Sequence, residues 1–139
     1  MKKQCKRKPR DISAMLRRRT GLDTSQKVDL GLAYHGALTA MERGHGDEQT
    51  HATLCCVINL GYMLCEHNVM PEHSPDMNSA QDALIACKWR SEEYFTWAFT
   101  ADEMKVVRRA LSIHDEQNAI APVGMIEKCL QEMFTILKA

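Results

Sequence analysis

The sequence predicts an all-α fold, a single compact bundle of about five or six antiparallel helices with a flexible basic N-terminal arm. Apolar residues recur three and four positions apart over most of the 139 residues, the spacing that lines one face of a helix. Alternating runs of β-branched residues, the mark of strands, are nearly absent. The connections between periodic segments are short and carry Gly, Pro or Asn, which suits antiparallel neighbours.

A chain of this length that is 45% hydrophobic can bury one sizeable core and is too short to divide comfortably into two. Its nine methionines and low aromatic content of 6% favour helix, because unbranched side chains lose little rotamer freedom there. The domain division that follows is an arm over residues 1–10 and a helical domain over residues 11–139.

Residues 1–10 (MKKQCKRKPR) are cationic and interrupted by Pro9, so they bury too little surface to order themselves. Asp11 is placed to cap a short basic helix from Ile12 to Arg19, stopped at Gly21. Asp23 and Thr24 offer caps for a helix from Ser25 to Arg43 with Val28, Leu32, Tyr34, His35, Leu38 and Met41 as its periodic positions, closed by Gly44 and Gly46. Asp47 opens a helix whose Leu54–Cys65 segment is apolar on nearly every face, the pattern of a central, enclosed element, and Asn68 suits its C-terminal end. After a loop holding Pro71 and Pro75, Ser74 or Asp76 is expected to cap a helix to about Arg90. Thr100 and Glu103 form a T-x-x-E capping box for a long helix with Met104, Val107, Leu111 and His114 in one stripe. Pro122 interrupts the pattern, and Val123, Ile126, Leu130, Met133, Phe134 and Leu137 continue it in a final helix.

The zero net charge conceals an asymmetry. Residues 1–19 hold Lys2, Lys3, Lys6, Arg7, Lys8, Arg10, Arg17, Arg18 and Arg19 against the one acid Asp11, so an arm with a surplus of eight positive charges is joined to a body with a surplus of eight negative ones. Such an arm is drawn to phosphate backbones or to acidic protein surfaces, more weakly as salt rises. No stacking aromatics interleave with it and no helix-turn-helix or zinc-finger spacing follows it, so a solvated tail is the competing reading.

Five of the six cysteines (Cys55, Cys56, Cys65, Cys87, Cys129) fall on apolar helical patterns, where a thiol is an ordinary small core residue, which points to a reducing compartment. No segment approaches the ~18 apolar residues of a membrane span and no apolar run follows the N-terminal charges, so the expected location is cytoplasmic, without a membrane partner. His45, His51, His67, His73 and His114 have no CxxC, HExxH or HxxxH companion, so neither a metal nor another cofactor is expected. No catalytic residue emerges either: His114-Asp115-Glu116 and Glu92-Glu93 are neighbours in sequence, which diverge on a helix. His114, Tyr34, His35 and Asn59 read instead as partners in hydrogen bonds between helices.

The least ordinary segment runs from Trp89 to Phe99. Trp89, Tyr94, Phe95, Trp97 and Phe99 are five of the chain's eight aromatic residues, placed between two helices, with a short β-like stretch over Tyr94–Phe99. Such a connector either folds back as a lid on the core or forms a partner or homodimer interface.

KRKPR (6–10), the run VDLGLAYHGALTAMERGHGDEQTHATLCCVINLGYMLCE (28–66), AQDAL (80–84) and LSIHDEQ (111–117) together resemble a group of small helical proteins of unsettled function encoded on phages, prophages and plasmids of beta-proteobacteria. The resemblance spans most of the chain, although that group carries one Trp where this chain has a whole aromatic cluster. It implies a setting and no mechanism. Combined with an acidic body that includes Asp47, Glu48, Glu92 and Glu93, it leads to the expectation of a non-enzymatic accessory protein. Its partner would be a host protein or nucleoprotein complex, and its action inhibition of a host defence system in the manner of an anti-CRISPR. The alternative is a DNA- or RNA-binding regulator that uses the arm.

Overall fold

A computed structural model describes residues 24–138. Five α-helices occupy them: α1 (Thr24–Glu42), α2 (Glu48–Glu66), α3 (Ser74–Tyr94), α4 (Ala101–Ile120) and α5 (Val123–Lys138), with a 3₁₀ turn (Pro71–His73) before α3. No strand is present among the described residues. The basic arm and the expected helix from Ile12 to Arg19 lie outside the described residues.

Local chemistry sets the helix ends. At the start of α2, the Asp47 carboxylate accepts from the Thr50 N–H (2.8 Å) while the Asp47 N–H donates to Thr50 Oγ1 (2.8 Å), so two otherwise unpaired donors are satisfied reciprocally. The same logic starts α4, where Thr100 and Glu103 close the expected box. Helices α1 and α2 end alike: the N–H of His45 reaches the Ala40 carbonyl (2.8 Å) and that of Val69 reaches Leu64 (2.8 Å), closing Schellman turns around left-handed Gly44 and Asn68. Neither Ser74 nor Asp76 is the cap of α3. His73 holds that position without a side-chain cap bond, because the 3₁₀ turn delivers the chain directly into the helix and Ser74 is already its first residue.

Apolar on most sides, α2 packs against all four other helices. Leu54, Ile58 and Leu64 are completely buried on it, and Met77, Cys87, Val107 and Leu111 join Leu54 and Ile58 from α3 and α4. A second cluster lies beneath α5, where Ile126, Cys129, Leu130 and Met133 cover Leu60 and Leu64. The stripe of α1 is Tyr34, Ala37, Leu38 and Met41. Leu32 is exposed, because two residues correspond to about 200° of turn and carry it to the face opposite Tyr34.

Two glycines behave in opposite ways. A Cβ on Gly46 would lie 2.6 Å from the carbonyl oxygen of Trp97 and would also collide with Met41 Sδ, whereas one on Gly36 would meet nothing within 4 Å. Gly46→Ala is therefore expected to cost about 1–3 kcal/mol by forcing a backbone apart. Gly36→Ala, within α1, should stabilise by about 0.5–1 kcal/mol through lost unfolded-state entropy. Urea unfolding of the two variants checks both signs.

Candidate interaction surface and buried polar cluster

The aromatic segment splits in two. Helix α3 continues past Arg90 to Tyr94, so Trp89 sits on a helix and no β-like stretch forms over Tyr94–Phe99. Its last turn is held by Ser91, whose backbone carbonyl accepts from the Phe95 N–H (2.8 Å) and whose hydroxyl donates to the Lys88 carbonyl (2.6 Å). Trp97 and Phe99 fold back onto the core as a lid, with the Trp97 indole 4.8 Å from the His51 ring. Trp89 (69%), Tyr94 (65%) and Phe95 (90%) instead face solvent. Phe95 also takes a left-handed backbone, φ 59°, a conformation that costs a residue with a side chain about 1–2 kcal/mol. Exposure and strain thus coincide on one large aromatic side chain.

Arg90 fastens the connector beneath this patch. Its guanidinium grips the Glu103 carboxylate (Nη1 to Oε2 2.8 Å; Nη2 to Oε1) and donates through Nη2 to the Ala98 carbonyl (2.8 Å). Burial acts to raise the Glu103 carboxyl, but the hydrogen bonds from Arg90 and the Thr100 N–H, with the guanidinium charge, outweigh it and hold the group below its ordinary range. On the neighbouring surface, Ile85 and Lys88 line a groove of about 870 Å³ between α2 and α3, whose rim carries Glu48, Glu66, Asp82 and Glu132.

Three cationic side chains line one recess among the described residues. Lys105, Arg108, Arg109 and Ser112 share a face of α4 and meet His73 around a space of about 460 Å³, with Glu116 at one end. Arg108 is paired with Glu42 (3.0 Å) and Arg109 with Asp76 (3.0 Å). The hydrogen bond from His73 (2.9 Å) is the first cause holding the Asp76 carboxyl below its usual range.

His51 and Cys55, four apart on α2, form a Cys/His pair outside the CxxC, HExxH and HxxxH motifs, Sγ to Nδ1 3.6 Å. It is structural. His51 Nε2 donates to the Leu84 carbonyl (2.8 Å), and burial pushes the Cys55 thiol up to about 11, so it stays protonated at neutral pH. Cys65, Cys87 and Cys129 are core thiols as expected, but Cys56 is exposed and Cys55 half-buried, because both lie toward the outer side of α2. Among the described residues no group of three or more His, Cys, Asp and Glu is arranged to hold a metal ion, and no helix there is long and apolar enough to cross a membrane.

The polar residues on helical stripes join helices. Tyr34 donates to Asp115 Oδ1, and His35 Nε2 lies 2.7 Å from Asp115 Oδ2. Asn59 accepts from Gln81 (3.1 Å). Deepest of all is Gln117, fully buried. Its amide NH₂ donates to the carbonyls of Gly61 (3.0 Å) and Val69 (3.2 Å), with Cys65 Sγ at 3.3 Å. Its Oε1 meets His114 Nδ1 at 3.0 Å. An amide oriented by two carbonyl acceptors can offer His114 only its oxygen, so Nδ1 carries the proton.

Burial, the largest effect on His114, depresses its proton affinity, opposed by the Gln117 hydrogen bond and the nearby Asp115 charge. The unfolded chain takes up this proton near pH 6.5 while the folded imidazole resists it, so this group contributes nothing to pH dependence above that value. Below it, the fold should lose up to about 1.4 kcal/mol per pH unit from His114 alone. His114→Asn, whose amide can still donate to Gln117, should lack that component. Urea midpoints of both proteins at about pH 7.5 and about pH 5.5 check it, and equal slopes would refute it.

Of the residues singled out in the sequence, Trp89, Tyr94 and Phe95 are therefore exposed, whereas Trp97 and Phe99 belong to the lid. Lys2, Lys3, Lys6, Arg7, Lys8, Arg10, Arg17, Arg18 and Arg19 lie outside the described residues. Sequence reasoning does not single out Gln117, because its partners are backbone carbonyls that carry no residue-type signal. No protein-family model, no curated protein and no solved structure matches the chain.

Proposed function

We propose that the protein is a non-enzymatic binding protein whose contact surface is the end of α3 and the acidic groove beside it. The observation that carries this reading is the exposure of Trp89, Tyr94 and Phe95 together, with Phe95 held in a strained backbone. Aromatic anchors of this kind dominate interface energetics, and a fold gains nothing by presenting them to water. Glu92 and Glu93 flank them, and the carboxylates of the neighbouring groove extend the negative field, so the complementary partner is a basic, apolar-bearing protein surface. A nucleic-acid-binding host enzyme has that character, because an acidic body imitates phosphate charge. If the chain comes from a mobile element, as the resemblance carried by residues 6–10, 28–66, 80–84 and 111–117 together implies, the proposal extends to inhibition of a host defence system in the anti-CRISPR manner, in a cytoplasmic setting.

The test uses Phe95→Gly and Trp89→Ala. Glycine adopts φ 59° freely, so Phe95→Gly should raise stability by about 1 kcal/mol while weakening capture of the partner. Wild type and variants would be used as bait in lysate of the natural host, with mass spectrometry as the readout. A host protein held by wild type and lost from both folded variants is the expected result; identical captures would overturn the assignment. A second copy of the chain is another partner for the same patch. Light scattering on Trp89→Ala tests that.

The recess of Lys105, Arg108 and Arg109 favours one further reading, a nucleic-acid-binding regulator in which this face and the basic arm both contact phosphate. Affinity for a DNA or RNA duplex would then fall steeply with salt, and Lys105→Ala should reduce the logarithmic slope by about one. A salt-independent signal, or none, removes this alternative.

A further inference from the structure

We propose that the open-mouthed cavity between α1, α2, α4 and α5 binds a small neutral molecule, one apolar ring in size, carrying a hydroxyl or N–H that donates to Nε2 of His114. The site is separate from the α3 surface, and neither proposal rests on the other.

The cavity measures about 280 Å³, and Cys56, Val57, Leu60, Ile126, Leu130 and Met133 make most of its wall. That is near the lower bound of about 300 Å³ for ligand pockets, and apolar cavities of about 150 Å³ already admit benzene. Its mouth lies at Ala33, Gln49 and Ala52, all exposed, and its floor includes His114, which is 1% exposed.

The floor supplies the specificity. Gln117 fixes the proton of His114 on Nδ1, so Nε2 holds a lone pair, and no hydrogen bond from a described residue reaches it. Among the described residues, no fully buried side-chain nitrogen or oxygen is left without a partner. Nε2 is therefore not sealed, and the cavity that His114 lines is the opening available to it. The Tyr34 ring stands edge-on to the imidazole, centroids 5.5 Å apart, and with Gln117 it fixes the plane of the ring. Tyr34 cannot take the donor's place, since its own proton goes to Asp115. A rigid, uncharged acceptor at the base of an apolar cavity is costly until a donor meets it. A charged ligand would suffer desolvation in such walls, which restricts the class to neutral molecules.

Phenol and toluene are the probes, since they share a shape and differ in one donor. Both would be titrated into the full-length chain, followed by amide shifts of Ala52, Leu60 and Leu130 and by the nitrogen resonance of His114 Nε2. The expected result is saturable binding of phenol at least as tight as that of toluene, although water solvates the phenol hydroxyl, with the Nε2 resonance moving for phenol alone. His114→Phe should leave toluene binding and drop phenol at least about tenfold behind it. Should that variant fail to fold, the Nε2 shift in wild type decides. Ala52→Trp, at the exposed mouth, should remove binding of both. Toluene binding without phenol, saturation by neither, or titrations unaltered by Ala52→Trp would each overturn the proposal.

Discussion

A single buried amide holds the two halves of the interior together. The large cluster among α1–α4 and the smaller one beneath α5 meet along the seam where Gln117 reaches the Gly61 carbonyl on α2 and the Val69 carbonyl just beyond that helix. The approach is tight at Gly61, where a Cβ would lie 3.2 Å from Gln117 Oε1 and 2.9 Å from the tip of Met77, so a side chain there would require both to shift. Because the amide is saturated on its donor side, its oxygen fixes the tautomer of His114, and that tautomer fixes which polar atom the neighbouring cavity offers. One hydrogen-bonded residue thus sets the distance between α2 and α4, the turn after α2 and the chemistry of the only imidazole among the described residues that burial so clearly keeps neutral. Buried networks specify structure in this way only when complete; this one leaves no sealed polar atom unmatched.

Satisfaction inside contrasts with deliberate cost outside. The fold spends nothing on Trp97 and Phe99, which cap the core, yet a few residues earlier it exposes Trp89, Tyr94 and Phe95. Arg90 explains how one short segment does both. By clamping Glu103 and the Ala98 carbonyl it pins the connector from Ala98 onward, so that Trp97 and Phe99 turn inward. The reversal at left-handed Phe95 leaves the preceding aromatics outside. The exposed part is anchored on one side by this clamp, so a partner docking on it would have less chain to order.

Capping and periodicity were readable in the sequence because they are local. Asp47 at the head of α2, the Thr100–Glu103 box, the Pro122 break and the all-round apolarity of Leu54–Cys65 depend on residues within one or two turns, where a side chain has few alternatives. The outcome at Trp89–Phe99 was not readable. Whether a Trp is lid or anchor depends on Arg90 finding Glu103 thirteen residues away, and nothing in an eleven-residue window records that. Leu32 misled for a related reason: it is apolar and sits near the stripe, but the stripe itself is narrow. Gln117 and the His51–Cys55 pair were invisible because their partners, Val69 and Leu84, contribute only backbone carbonyls, which every residue type possesses.

The position of the cavity follows from the same architecture. Helix α2 must be covered on all sides, and four helices of differing tilt cannot cover a cylinder without leaving a gap where two of them diverge. Helix α5 packs chiefly on α2, so the space between it and α1 is the least constrained part of the interior. Aliphatic side chains fill such a gap wherever the surrounding residues are free to enlarge. Here the floor is His114, whose ring is already held by Gln117 and Tyr34, and the rim is Ala33 and Ala52, whose side chains are too short to close it. A fixed polar floor and small residues at the entrance keep the gap from collapsing, so it persists as a feature of the packing and not as slack within it.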